Sequence, residues 1–333
     1  MPPTMLVAIG GNALIRAGEP VTVAAERRHI ADTCRGITRI ASDGWRLVIT
    51  HGNGPQVGAE LRRSELAAHE VYPLPLDVCV ASTQGEIGFL LQQGLGEAFQ
   101  TANVDRPVAT VLAQVAVASD DSGFARPTKP VGPFYSRADA EARRSLGWTM
   151  VEEAPHGYRR VVASPEPLEI VEEPVIRTLV EAGVVVITLG GGGIPVVRNG
   201  HRLTGVEAVV DKDLASALLA IRLQVDRFVL LTDVDRIYLD FGSPHARGLD
   251  DATCDELRHF AAAGHFPPGT MGPKVEAVRR FVSASGRAAI VTSIDTLDLA
   301  LAGRAGTHVT ADTRTTSRSS RPVAVTISGP GSQ

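Results

Sequence analysis

The feature that most constrains this chain is a recurring unit: a short apolar run that ends abruptly in glycine and leads into a stretch of helical character. Met5-Leu6-Val7-Ala8-Ile9 runs straight into Gly10-Gly11-Asn12. Trp45-Arg46-Leu47-Val48-Ile49-Thr50 breaks into His51-Gly52-Asn53-Gly54-Pro55, and residues 184–189 break into four consecutive glycines at 190–193. Continuous apolar runs of this length, without alternation, are the mark of strands covered on both faces. That is the situation in a parallel sheet with helices on each side. Further strands are expected at 108–117, 228–231 and 288–292, and helices at 22–43, 76–99, 170–182, 213–223, 253–263, 274–285 and 295–301. The result is an α/β chain with a mostly parallel sheet.

In such a sheet the glycines fall at the carboxyl ends of the strands, where ligands bind and where backbone N–H groups can cradle an anion. Two such loops on one edge make a convergent cradle. The four glycines at 190–193 carry a conformational cost that is hard to account for unless backbone there must approach something closely. His51 has no partner in sequence that would make it a general base. The stretch 119–167 departs from this pattern. It is rich in proline, glycine and charge, with a short helix near 138–146 and strand-like pieces at 148–151 and 159–162. We read it as a small subdomain inserted at the ligand edge, carrying Lys129 on a proline-stiffened loop. A hairpin-like segment at 195–210 leads back to the body of the fold. The helix at 76–99 suits either the core or a dimer face, and 311–333, rich in Ser, Thr, Arg and Pro, reads as a disordered tail.

Within this frame the basic residues are distributed unevenly. Of 33 basic residues only Lys129, Lys212 and Lys274 are lysine, and the other 30 are arginine. None of the three sits on a charged helix face. Lys129 lies in Pro127-Thr128-Lys129-Pro130-Val131-Gly132-Pro133, Lys212 lies between Asp211 and Asp213, and Lys274 follows Gly269-Thr270-Met271-Gly272-Pro273. An ammonium is a compact point charge that fits against a crowded phosphate where a planar guanidinium does not. Asp213 reads either as the cap of the helix it begins or as the anion that orients two lysines.

The net charge of -4 argues against a general nucleic-acid surface. No apolar run approaches membrane-spanning length, and three scattered cysteines without a CxxC suit a reducing compartment, so a cytoplasmic protein is expected. No Walker-type loop, kinase catalytic loop, nucleophile elbow or zinc-ligand pair occurs. Three lysines, glycine-rich anion loops and one aspartate, with no nucleophile, suit phosphoryl transfer. In that reaction the protein mainly positions the reactants and neutralises charge.

These residues also carry a family resemblance. Gly10-Gly11-Asn12-Ala13, the run His51-Gly52-Asn53-Gly54-Pro55-Gln56-Val57-Gly58, Pro-Thr-Lys-Pro-Val-Gly-Pro-Phe at 127–134, and the segments 190–197, 206–215 and 264–274 closely resemble carbamate kinases of the amino acid kinase superfamily. The resemblance runs in order from about residue 5 to residue 310. It implies a three-layer αβα sandwich around a mostly parallel sheet, with a small protruding subdomain and assembly as a homodimer. It also implies transfer between ATP and carbamate to give ADP and carbamoyl phosphate, commonly run toward ATP, with magnesium held mainly by the nucleotide phosphates.

Carried across, Gly10, Gly11, Asn12, Gly52, Asn53, Gly54, Gly191 and Gly192 would hold carbamate and the transferred phosphoryl group. Lys129, Lys212 and Lys274 would act in catalysis, with Asp213 fixing the lysines. Lys212 and Lys274 together with Thr232, Asp233, Val234, Tyr238, Met271 and Gly272 would border the nucleotide. The alternative is a sister kinase of the superfamily acting on another small carboxylate or on a nucleotide. The lysine loop at 127–134 would crowd such an acceptor.

Overall fold

The computed structural model describes residues 2–11, 22–267 and 269–311. Asn12 and the tail from residue 312 onward lie outside the described residues. The alternation of side chains along a strand explains how the apolar runs are used. Met5, Val7 and Ile9 of the strand Thr4–Ile9 join a core with Leu47, Ile49, Val185 and Ile187, beneath the helices Val23–Ser42 and Leu76–Thr101. Leu6 and Ala8 face the other way, into a core with Val48, Val186, Phe228 and Leu230. The helices Glu173–Glu181, Lys212–Arg222 and Met271–Ser285 close that side. Each strand therefore serves two cores, which is why its sequence is apolar at every position. The outcome is a three-layer αβα sandwich.

The sheet has eight strands, in the order Asp251–Thr253, Thr307–Thr310, Ala289–Thr292, Arg227–Leu231, Thr4–Ile9, Arg46–His51, Val185–Thr188, Val108–Val111. All neighbours pair in parallel except Ala289–Thr292 with Thr307–Thr310. Four central strands thus end side by side, and their exits Thr232, Gly10, Gly52 and Gly190 line one edge. The short strands Asp251–Thr253, at the edge, and Thr307–Thr310, beside it, were not expected. Nor was the break in the run at 108–117. Its first half stays in this sheet, while Gln114–Val117 joins a second, four-stranded sheet with Glu169–Ile170 and the hairpin Ile194–Asn199/Arg202–Gly205.

Above the edge stands a small sheet of three antiparallel strands, Lys129–Tyr135, Gly157–Val162 and Met150–Glu153, with the helix Arg137–Ser145. Lys129 was expected on a loop. It is instead the first residue of a strand, paired with Val162, and the strand is bulged between Val131 and Phe134. Two prolines in the segment hid it, since an edge strand with a bulge tolerates proline where a central one does not. The helix Gly54–Ala67 runs beneath this strand so closely that a Cβ on Gly58 would lie 3.1 Å from Gly132 Cα.

Candidate active site

The two glycine loops meet each other before they meet any ligand. Gly52 N–H donates to the Ile9 carbonyl at 3.0 Å, and a Cβ on Gly52 would come within 3.1 Å of Gly11 N. A Cβ on Gly10 would lie 2.9 Å from the Leu231 carbonyl oxygen. The quartet at 190–193 is tighter. Gly191 has φ +66°, and a side chain there would overlap the amide of Asn53, which donates to Thr83 Oγ1 at 2.9 Å. A side chain on Gly192 would strike the Val210 carbonyl oxygen at 2.3 Å. The close approach that the four glycines permit is in large part to the protein's own chain. It lets Asn53 and the segment at 209–213 pack down onto the sheet edge.

That segment opens the helix Lys212–Arg222, one residue earlier than expected. Its cap is Asp211, not Asp213: Asp211 Oδ1 accepts from the N–H groups of Asp213 at 2.9 Å and Leu214 at 3.3 Å. Asp213 sits in the first turn, buried, and its carboxylate is given wholly to lysines. Oδ1 pairs with Lys212, and Oδ2 accepts from Lys274 Nζ at 2.9 Å. The helix is locked to the sheet through Ser216, whose hydroxyl donates to the Lys212 carbonyl at 2.6 Å and lies 2.7 Å from Thr50 Oγ1. Lys129 reaches in from the small sheet and meets Asp211 Oδ2 at 2.8 Å. All three lysines of the chain, from three distant segments, therefore end within one cluster.

The electrostatics follow from burial. Burial disfavours the Asp213 anion, yet Lys212 and Lys274 outweigh it and hold the carboxyl well below the usual range. Burial also pushes Lys212 below the ordinary lysine value; Asp213 pulls it back and Lys274 adds to the lowering. For Lys274 burial acts downward too, but Asp213 and then Asp211 prevail and raise it. Three ammonium groups against two carboxylates give the cluster itself an excess positive charge at the start of a helix, where anions bind favourably, with Asp233 standing further along the same wall. His51 is fully buried, donates from Nδ1 to the Gly52 carbonyl at 2.9 Å, and is pushed down to about 4 by burial. It is a neutral packing residue beneath Gly190.

A cleft of about 490 Å³ opens along this edge. Its walls include Gly10, Gly11, Gly52, Asn53, Gly54 and Gly191, the four expected catalytic residues Lys129, Lys212, Asp213 and Lys274, and Thr232, Asp233, Val234, Tyr238 and Met271. Gly192 and Gly272 stand behind the wall: Gly192 against Val210, and Gly272 donating its N–H to the Pro267 carbonyl at 3.1 Å. Residues missed by sequence reasoning also line the cleft, among them Asp211, Pro130, Val131, Phe241 and His265. Phe241 is 65% exposed and lies 5.7 Å from the Tyr238 ring, and His265 Nδ1 lies 2.8 Å from Asp240 Oδ1. A lone phenylalanine in the polar stretch Asp240-Phe241-Gly242 was the one available signal.

A mostly parallel αβα sheet whose carboxyl edge carries glycine loops and a paired lysine cluster is the architecture of a phosphate-handling enzyme. The amino acid kinase family profile matches residues 3–293, and the chain belongs to this family. A carbamate kinase of Thermococcus kodakarensis is 44% identical over 310 residues, 92% of this chain and 98% of that one. A carbamate kinase-like protein of Escherichia coli is 45% identical over 92% of this chain and 98% of its own length. Among solved structures, the carbamate kinase of Giardia lamblia bound to AMP-PNP superposes with a TM-score of 0.88 at 39% identity. The match covers 93% of this chain and 99% of that one.

Proposed function

We propose that the protein is a carbamate kinase that transfers a phosphoryl group reversibly between ATP and carbamate, working toward ATP and acting in the cytoplasm as a homodimer. The observation that carries this reading is the convergence of the only three lysines in the chain on two aspartates at the glycine-lined end of one cleft. In this reading the nucleotide lies along 232–234, Tyr238 and Met271, with its terminal phosphates on Lys212 and Lys274. The acceptor rests against Gly10, Gly11, Gly52, Asn53 and Gly54, and Lys129 covers it from the small sheet.

Each residue then has a defined task. Lys212 and Lys274 neutralise charge on the phosphoryl group in flight, and Asp213 keeps both ammonium groups aimed without touching substrate. The glycine N–H groups hold acceptor oxygens in line. Preorganised charge of this kind acts without reorganisation at the moment of transfer. Magnesium, when bound with the nucleotide, would supply further charge neutralisation at the phosphates. Asp213 spends both oxygens on lysines and Asp211 spends its own on Lys129 and the helix cap, so the metal would be held mainly by the nucleotide phosphates.

Carbamate offers few handles, so selectivity comes from the narrow space between the glycine loops and Lys129. With magnesium, purified protein is expected to form ATP from ADP and carbamoyl phosphate in a coupled assay. It is expected to transfer nothing comparable from ATP to aspartate, glutamate, N-acetylglutamate or uridine monophosphate. Robust phosphorylation of one of these acceptors, with no ATP from carbamoyl phosphate, would overturn the assignment.

A further inference from the structure

We infer that Asp211 is a positioning residue for the reaction: it holds Lys129, the one cluster lysine borne by the small sheet, in register with the helix that carries Lys212 and Asp213. The inference rests on the phosphoryl-transfer reading above. It starts from the way one carboxylate is divided. Oδ1 is committed to the helix start, accepting from Asp213 and Leu214, which fixes the carboxylate plane relative to the helix. Oδ2 is then left for a single partner, and that partner is Lys129 Nζ at 2.8 Å.

The two aspartates thus share out the lysines unequally. Asp213 binds the two lysines of the main body with both oxygens and is only 4% exposed at its side chain. Asp211 binds Lys129 through one oxygen, and the Lys129 side chain stays 29% exposed, against 14% for Lys212 and 16% for Lys274. One contact from Asp211 leaves N–H donors of Lys129 free to point into the cleft toward an anion. Asp211 is the carboxylate that pairs with Lys129 among the described residues, and without it the four-carbon stem on an edge strand loses the charge that aims it. The approach of the small sheet to the helix start would then no longer set where the ammonium lies. Asp211 itself contacts no reacting group in this scheme, and Lys129 is the lysine it holds by direct contact.

The chain offers a direct readout, because only three side-chain amines exist to be labelled. Asp211→Asn retains a good helix cap, so the melting temperature is expected to stay within about 2 °C of wild type. Pulse labelling with an amine-reactive ester, read by peptide mass, is expected to rise about fivefold or more at Lys129 and to change less than twofold at Lys212 and Lys274. Turnover from carbamoyl phosphate is expected to fall about tenfold, with the KM for ADP within twofold of wild type. Unchanged labelling at Lys129 would overturn the inference, whatever the rate does, and so would increased labelling at all three lysines. If wild type makes no ATP from carbamoyl phosphate, the functional assignment falls, and the labelling still decides the role of Asp211.

Discussion

The body of the molecule and the small sheet above it contribute to the same cleft but are held together in different ways. In the body, the strands Thr4–Ile9 and Arg227–Leu231 are buried almost throughout, and their neighbours pack helices on both faces. Val131 and Val162 of the small sheet join a modest apolar cluster with Val57, Leu61, Leu76, Cys79, Val80 and Val209 of the body. The small sheet's own core is only Tyr135, Ala140 and Met150, with Trp148 and Tyr158 packed against it. Arginines complete it: Arg143 lies 4.0 Å from the Tyr135 ring centroid, Arg160 4.3 Å from Trp148, and Arg144 5.2 Å from Tyr158. Such contacts contribute about 0.5–1 kcal/mol each when exposed, far less than a filled core. The comparison teaches where rigidity is placed. Lys212 and Lys274 ride on the part that cannot shift without breaking the large cores, and Lys129 rides on a part held to the body by a smaller apolar cluster, which shifts at lower cost.

The largest break in this contrast is expected from Asp213→Asn. It leaves two buried ammonium groups in the rigid half without the carboxylate that pairs with both, Asp211 being the weaker counter-charge that remains, and removing one side of a buried pair costs about 3–5 kcal/mol. Turnover is expected to fall at least about a thousandfold, equivalent to roughly 4 kcal/mol of transition-state stabilisation, and the melting temperature is expected to drop. The loss of stability should shrink as pH falls below about 4. There the wild-type carboxylate, whose pKa is held low only in the folded state, gives up its own contribution. Amide exchange at 213–214 should be unchanged, because Asp211 remains the cap. Near-normal turnover in this variant would show that the lysines need no such anchor.

Much of this was legible from sequence, for stateable reasons. Runs such as Leu47-Val48-Ile49 are apolar at consecutive positions only because both faces are covered, so the parallel sheet could be read directly. The lysines stood out because arginine fills nearly every other basic position. What was hidden depended on contacts between distant segments. The run at 108–117 reads as one strand, broken only by Thr110 and Gln114, yet its two halves enter different sheets, and a single glutamine does not by itself mark such a break. Pro130 and Pro133 concealed the strand that carries Lys129. Asp211 and Asp213 look alike in Asp-Lys-Asp, and only the backbone geometry shows that the first caps the helix while the second anchors lysines. The hairpin Ile237–Leu239/Arg247–Leu249 that presents Tyr238 is too short to leave a periodic signal.

The second test compares buried histidine with exposed histidine. His51 lies beneath the cleft floor with its pKa lowered to about 4, whereas His156 of the small sheet is exposed. A base whose pKa is lower folded than unfolded favours the native state above the unfolded value and loses that contribution as pH falls. The window here runs from about 6.5 down to about 4, and the full effect is about 3 kcal/mol. Denaturant unfolding of the wild type is therefore expected to weaken across this window. His51→Gln, lower at neutral pH, should show a flatter profile. If the two proteins lose stability in parallel as pH falls, His51 is not the titrating group.

The smallest effect, and the one most specific to the small sheet, is expected from Glu65. This residue lies on the helix Gly54–Ala67, in the rigid half, and its carboxylate is where the small sheet docks. Tyr135 donates its hydroxyl to Oε1 at 3.0 Å, Arg143 pairs with Oε2 at 3.3 Å, and Arg62 of the same helix holds Oε2 at 2.9 Å. Glu65→Gln keeps the shape and one acceptor oxygen but removes the charge that gathers these partners. A partly exposed network of this kind contributes on the order of 1 kcal/mol, roughly a fivefold change in an opening equilibrium. Hydrogen exchange is accordingly expected to rise several-fold across 129–162 and to stay unchanged in the central strands. Turnover should fall two- to fivefold with little change in the KM for ADP, since the nucleotide wall belongs to the body. If exchange rises evenly along the whole chain, Glu65 is a general stabilising residue and the small sheet is not held as a separate unit.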